Sequence, residues 1–237
     1  MTHHFGMLVP STNRTVEIEY TRLLPETLQA HYARLGKEVD TPFSPGRVDD
    51  IAYQSKMLGN ARVEAIALTQ TSASLFDDDY DENAKRRMRE GTNAPAITSA
   101  EAIGAALRAL GATRIALVSP YSEEVIGRAK RYYEMRYGLQ VVATAPFGAT
   151  DSYEIGTLGA ENATDAFARI DNPEIEAMVV PGGNFPTMVH IADWEQRVGK
   201  PVVTTNQAVI WAVMTELGVR DSIPGLGRLL EELPGTQ

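Results

Sequence analysis

Short apolar blocks alternate along the chain with longer stretches in which apolar residues recur every third or fourth position. The blocks read as buried strands and the stretches as amphipathic helices. Phe5, Met7, Leu8 and Val9 make the first block, which stops at Pro10-Ser11-Thr12-Asn13. Residues 16–24 have helical spacing and end before Pro25; residues 28–35 read as a second strand, with Leu28, Ala30 and Tyr32 on one face. A polar loop rich in Pro and Gly (41–46) and a helix from Asp49 towards Leu58 follow. Residues 63–69 give a third strand that runs into Gln70-Thr71-Ser72-Ala73-Ser74, read as a turn. A charged helix (79–91), a short strand (96–97) and a helix (99–110), for which Ser99 offers a capping hydroxyl, complete the first half.

The second half repeats the plan. A strand (114–118) ends in Ser119-Pro120-Tyr121-Ser122, and a helix (123–137) is stopped by Gly138. A strand (139–144), a helix within 157–170 and a strand (176–180) lead to Pro181-Gly182-Gly183-Asn184, with a new helical pattern from Thr187. A strand (201–204), a helix (208–217) and a tail able to form one more short helix (224–233) close the chain. Strands alternating with helices predict an α/β fold of parallel sheets flanked by helices. In each half, roughly sixty residues separate the turn after the first strand from the second turn, an echo expected of an internal repeat. Two similar lobes facing each other would gather all four turns around one cleft. Turns at the carboxyl ends of strands are where α/β proteins hold ligands.

Composition narrows the function classes. The 237 residues suit one large α/β domain or two small lobes. A net charge of −9, with Lys85-Arg86-Arg87-Met88-Arg89 as the basic cluster, argues against a nucleic-acid partner. The absence of cysteine excludes disulfides, thiolate zinc sites and cysteine nucleophiles. No apolar run approaches membrane-spanning length and no leader-like segment precedes the first strand, so a soluble cytoplasmic protein without a membrane partner is expected. The Gly182-Gly183-Asn184 turn lacks the Gly-x-Gly-x-x-Gly or Gly-Lys-Ser/Thr spacing of phosphate loops, which sets a nucleotide-binding reading aside.

Several residues carry candidate chemistry. Ser11, Thr12 and Asn13 are neutral donors where a strand enters a helix, a place that favours an anion; the same residues are preferred caps, and both readings stand. Thr71 and Ser72 can hold a carboxylate in the manner of an oxyanion hole, or cap a turn. The second donor-rich turn, Gly182-Gly183-Asn184, favours the ligand reading. The Tyr121 phenol can donate to a ligand oxygen, or pack with its tip in water. Asp77-Asp78-Asp79-Tyr80-Asp81-Glu82 reads as a solvated helix start, with a hard-cation site as the alternative; no metal is expected. His190 is a possible proton shuttle or an ordinary helical residue. His3 and His4 read as terminal residues without a role.

Taken in order, Gly6-Met7-Leu8-Val9-Pro10-Ser11-Thr12-Asn13, Thr71-Ser72-Ala73-Ser74, Ser119-Pro120-Tyr121, Pro181-Gly182-Gly183-Asn184-Phe185-Pro186-Thr187 and the run from Gly199 to Ala208 with Trp211 beyond resemble one family. It is the aspartate/glutamate racemase superfamily, within it the maleate cis-trans isomerase and arylmalonate decarboxylase branch. The resemblance implies two pseudo-symmetric lobes with the site between them and a C-terminal helix returning to the first lobe. The lobes are then expected at 1–98 plus 208–237 and at 99–207. It also implies two thiol positions, which Gln70 and Gly182 occupy here, so both thiols are missing. By the same resemblance Thr71, Ser72 and Tyr121 match donors to a carboxylate, Asn13 a substrate-contacting asparagine, and Gly183 and Asn184 donors to a second carboxylate. The expectation is an enzyme on a small carboxylic acid, of isomerase, lyase, decarboxylase or hydrolase type, by a cysteine-independent variant of the family chemistry. Proton transfer would then fall to a carboxylate, His190, Tyr121 or bound water. No cofactor is expected; the expected partners are a small carboxylate or zwitterionic substrate and further copies of the chain in a homo-oligomer. The alternative is a catalytically silent carboxylate-binding or regulatory relative.

Overall fold

In the computed structural model, residues 1–36 and 48–236 are described; the loop expected at 41–46 lies outside them. The apolar blocks form two four-stranded parallel sheets. The first holds β1 (His3–Pro10), β2 (Leu28–Leu35), β3 (Ala65–Leu68) and β4 (Ala96–Thr98) in the order β2-β1-β3-β4. The second holds β5 (Arg114–Ser119), β6 (Gln140–Pro146), β7 (Ala177–Val180) and β8 (Val202–Thr204) in the order β6-β5-β7-β8. The orders are the same, so β3 answers β7 and β4 answers β8. This is the repeat that the spacing of the turns suggested, and the α/β class with two pseudo-symmetric lobes holds.

Strand periodicity explains how each sheet is covered. In β1, Phe5, Met7 and Val9 face one apolar cluster while Leu8 faces another; in β3, Ala65 and Ala67 share the first cluster and Ile66 and Leu68 the second. The second cluster lies under α2 (Val48–Asn60) and α4 (Tyr80–Thr92), which cross at a glycine pair. A Cβ on Gly59 would sit 2.3 Å from the Gly91 carbonyl oxygen, so this approach of backbones admits no side chain. The first cluster is far larger and continues from β1 through both lobes to Leu230.

Between the sheets lie α5 (Ser99–Ala109), which follows β4, and α10 (Thr205–Leu217), which follows β8. They pack against each other; α10 also touches β3 and β4, and α5 touches β8. Residues Thr205 to Trp211 of α10 are all buried, as a helix that is covered all round must be. The remaining helices are α1 (Val16–Leu23), α3 (Thr71–Ser74), α6 (Glu123–Tyr137), α7 (Ser152–Ile155), α8 (Glu161–Ile170), α9 (Ile191–Val198) and α11 (Arg228–Glu231). No helix among the described residues is long and apolar enough to cross a membrane.

Local chemistry departs from the sequence reading at four places. The stretch expected as a turn after β3 is the short helix α3. Ser99 does not cap α5: Thr98 holds the cap position, and the Ser99 hydroxyl turns to Thr71. The acidic run is not uniformly solvated, because Asp81 is 1% exposed and accepts from Ser74 Oγ and Tyr132 Oη, both at 2.6 Å. His3 and His4 lie in β1, where His3 Nδ1 is 2.9 Å from Glu64 Oε2 and His4 stacks on His31.

Candidate functional site

The turns after β1, β3, β5 and β7 meet at a half-open cleft between the lobes. It is lined by Pro10, Thr12, Asn13, Thr69, Gln70, Thr71, Ser72, Tyr121, Ser152, Ile155, Gly182, Gly183 and Asn184. The structure therefore brings together every residue expected to bind substrate except Ser11. Ser11 is exposed, its N–H donates to the Leu35 carbonyl, and its own carbonyl accepts from Arg34. His190 is also absent from the cavity wall; it sits at the end of the 3-10 turn Met188–His190, against the Trp194 ring. Ser152 and Ile155 come from α7, which sequence reasoning missed. Its one signal was Asp151, whose carboxylate accepts from Tyr153 N–H and Glu154 N–H in a standard N-cap.

Each polar wall residue is held by its own element. Asn13 Oδ1 accepts from Thr15 and Val16 N–H at 3.0 and 3.1 Å, so this side chain caps the entry to α1 while lining the cavity. Asn184 is committed on both faces of its amide: Oδ1 accepts from Arg14 N–H at 2.9 Å and Nδ2 donates to the Ser152 carbonyl at 2.6 Å. It ties the lobes together rather than offering a donor inward. The Gly182 N–H donates to Thr205 Oγ1 at 2.8 Å. Gly182 has φ +132°, and a Cβ there would meet Pro120 Cγ at 3.0 Å, so this backbone is specific to glycine.

Electrostatically the wall is neutral. Among the described residues lining it, Tyr121 is the one titratable side chain. Tyr121 is buried, and burial pushes its phenol well above the ordinary value of 10.0, opposed by a hydrogen bond with Ser72. Gln70 lines the cavity, and its Oε1 accepts from Tyr80 Oη at 3.5 Å. Hydroxyls and backbone without fixed charge suit an oxyanion: they solvate it by dipoles and need no desolvated partner charge.

Behind this wall lies a carboxylate missed by the sequence reading. Glu19 of α1 is buried where the lobes meet; Oε1 accepts from the N–H groups of Thr187 and Met188 at 2.7 and 2.8 Å, and Oε2 from Asn206 Nδ2 at 2.6 Å. Desolvation dominates and raises its pKa above 4.5 in spite of these donors.

Fold and cavity together define a two-lobed, pseudo-symmetric α/β protein with an oxyanion-suited cleft between its sheets. A profile of the arylmalonate decarboxylase (Amdase) family matches residues 5–230, and the chain belongs to that family. It is 25% identical to a maleate isomerase of Alcaligenes faecalis, over 97% of this chain and 96% of that one. It is 27% identical to an arylmalonate decarboxylase of Bordetella bronchiseptica, over 98% of each. Among solved structures, a cysteine-to-alanine form of the maleate isomerase of Pseudomonas putida S16 with maleate superposes with a TM-score of 0.90, at 26% identity, covering 99% of this chain and 100% of that one.

Proposed function

We propose that the chain is an enzyme that acts on a small carboxylic acid by a cysteine-independent form of the family's isomerase or decarboxylase chemistry. The observation that carries this is the convergence of Thr71, Ser72 and Tyr121 on one uncharged cleft that Asn13 and Gly183 also line. In this reading the two hydroxyls and the phenol receive one carboxylate. They strengthen their hold as charge moves onto its oxygens in the transition state.

The proton inventory favours a lyase-type reaction. Racemisation needs a base to take a proton from carbon, and a phenol kept protonated by burial is not one. Decarboxylation of a malonate-type acid needs no base: the bond from the α-carbon to the leaving carboxylate breaks, CO2 departs, and the electron pair remains as an enediolate against the donors. The carbon then takes a proton from Tyr121, which recovers it from solvent. Incubation with malonate, phenylmalonate and maleate in D2O, followed by proton NMR and CO2 release, tests this. Deuterium at the α-carbon of a decarboxylated product is expected; no turnover and no exchange across the three acids overturns it.

A second reading, a carboxylate-binding relative without turnover, is favoured by one fact: among the described residues of the wall the single titratable group is a phenol whose proton burial makes hard to release. A ligand-dependent rise in Tm without product formation would select it.

A further inference from the structure

The hydroxyl of Thr71 is held from behind by two others. Its Oγ1 lies 2.9 Å from Ser99 Oγ and 3.3 Å from Thr205 Oγ1, and Thr205 Oγ1 accepts the Gly182 N–H at 2.8 Å. All three side chains are buried, at 1–2% exposure, so no bulk water competes for them. Ser99 opens α5 directly after β4, and Thr205 opens α10 directly after β8. They are equivalent positions of the two lobes, meeting on one atom. The equivalent of Thr71 in the second lobe is Gly183, which has no hydroxyl to receive them.

A threonine hydroxyl has one proton and two lone pairs. A carboxylate only accepts, so Thr71 can bind one only if its proton points into the cleft. Both of its lone pairs are then open to the hydroxyls behind it. Thr205 already accepts from Gly182, which leaves its own proton to be donated, and Thr71 Oγ1 is the acceptor in reach. Ser99 fills the other lone pair. We propose that Ser99 and Thr205 are positioning residues that fix the Thr71 hydroxyl as a donor to the ligand carboxylate. They also tie that donor to the Gly182 turn across the lobes. This rests on the reading of the cleft as a carboxylate site.

The test is a double-mutant cycle on the full chain, with malonate and maleate as probes in isothermal titration. Ser99→Ala and Thr205→Val each weaken binding about three- to tenfold, the loss of one neutral hydrogen bond's worth of orientation. Thr205→Ser, which keeps the proton, restores the wild-type Kd. In a Thr71→Val background the same two substitutions leave Kd unchanged, because the donor they orient is gone; a merely structural role would weaken binding equally in both backgrounds. Equal losses in both backgrounds, or no loss with Thr71 present, overturn the proposal alone. Wild-type protein that binds neither acid overturns the carboxylate reading and this proposal with it. Should Thr205→Val fail to fold, the cycle through Ser99→Ala decides by the same criteria.

Discussion

Gln70 and Gly182 occupy equivalent places after β3 and β7, yet their backbones differ in what they tolerate. Gln70 has φ −120° and ψ 74°, open to any L-residue, whereas Gly182 at φ +132° is not. Because the chain has no other cysteine, a thiol introduced at either position is the only one present. Gln70→Cys should fold with near wild-type stability and react stoichiometrically with a thiol reagent. Gly182→Cys should lose about 1–3 kcal/mol from backbone strain, read as a fall in Tm. Equal stability of the two variants would show the Gly182 turn to be free to relax. Tyr121→Phe removes a donor to a charged acceptor and should weaken malonate binding roughly 10- to 100-fold. With that phenol's pKa pushed above 10.0 and no other titratable group on the described wall, Kd should stay flat from the ligand's own ionisation up to about pH 10. A break near pH 8.5, where a thiol would titrate, would need a group that the cleft wall does not contain.

At the scale of elements, what the sequence made legible was whatever periodicity or a stop signal governs. The helix expected at 123–137 is found as Glu123–Tyr137, because Gly138 takes φ +65° and ends it; the strand expected at 28–35 is found as Leu28–Leu35. Candidate site residues were legible where a strand ended in donors, as at Thr71, Ser72 and Gly183, which line the cleft. Partnerships across the lobes were not. Nothing near Ser99 indicates that its hydroxyl leaves the helix start for Thr71, and nothing near Glu19 indicates that α1 sends a carboxylate to the turn before α9. Glu19 gives a pH signature. Its folded pKa is raised above 4.5, so the folded state holds its proton more tightly than the unfolded chain does. Its contribution is fully present below pH 4.5 and is lost as pH rises through the raised value. Wild-type Tm should therefore fall relative to that of Glu19→Gln as pH climbs from 4.5 towards neutrality; parallel Tm curves for the two proteins would refute this.

For the whole molecule the decisive feature is that the larger of the two apolar cores is shared by both lobes. The apolar cluster that begins with Phe5 and Met7 in β1 continues through α5 and α10 to β5, β7 and β8, so the facing sides of the two sheets are buried by one common cluster. Polar ties cross the same boundary: Thr15 Oγ1 donates to the Asn184 carbonyl at 2.6 Å, Tyr20 Oη to the Asn206 carbonyl at 2.9 Å, and Tyr132 Oη to Asp81 at 2.6 Å. Independent lobes would unfold in two steps, as multi-domain chains commonly do. Here a single transition is expected, with far-UV circular dichroism and tryptophan fluorescence coinciding in urea. Tyr132→Phe is the probe that separates the cases. It leaves a buried Asp81 oxygen without its donor, about 1–2 kcal/mol, or a fall of roughly 2–8 °C in Tm for a chain of this size. If the lobes form one unit, that loss moves the entire transition, including the signals of Trp194 and Trp211, which lie far along the chain from either partner. A second, unshifted transition in the variant would mean that the core is divisible after all, and that the cleft is a hinge between two folding units rather than a seam within one.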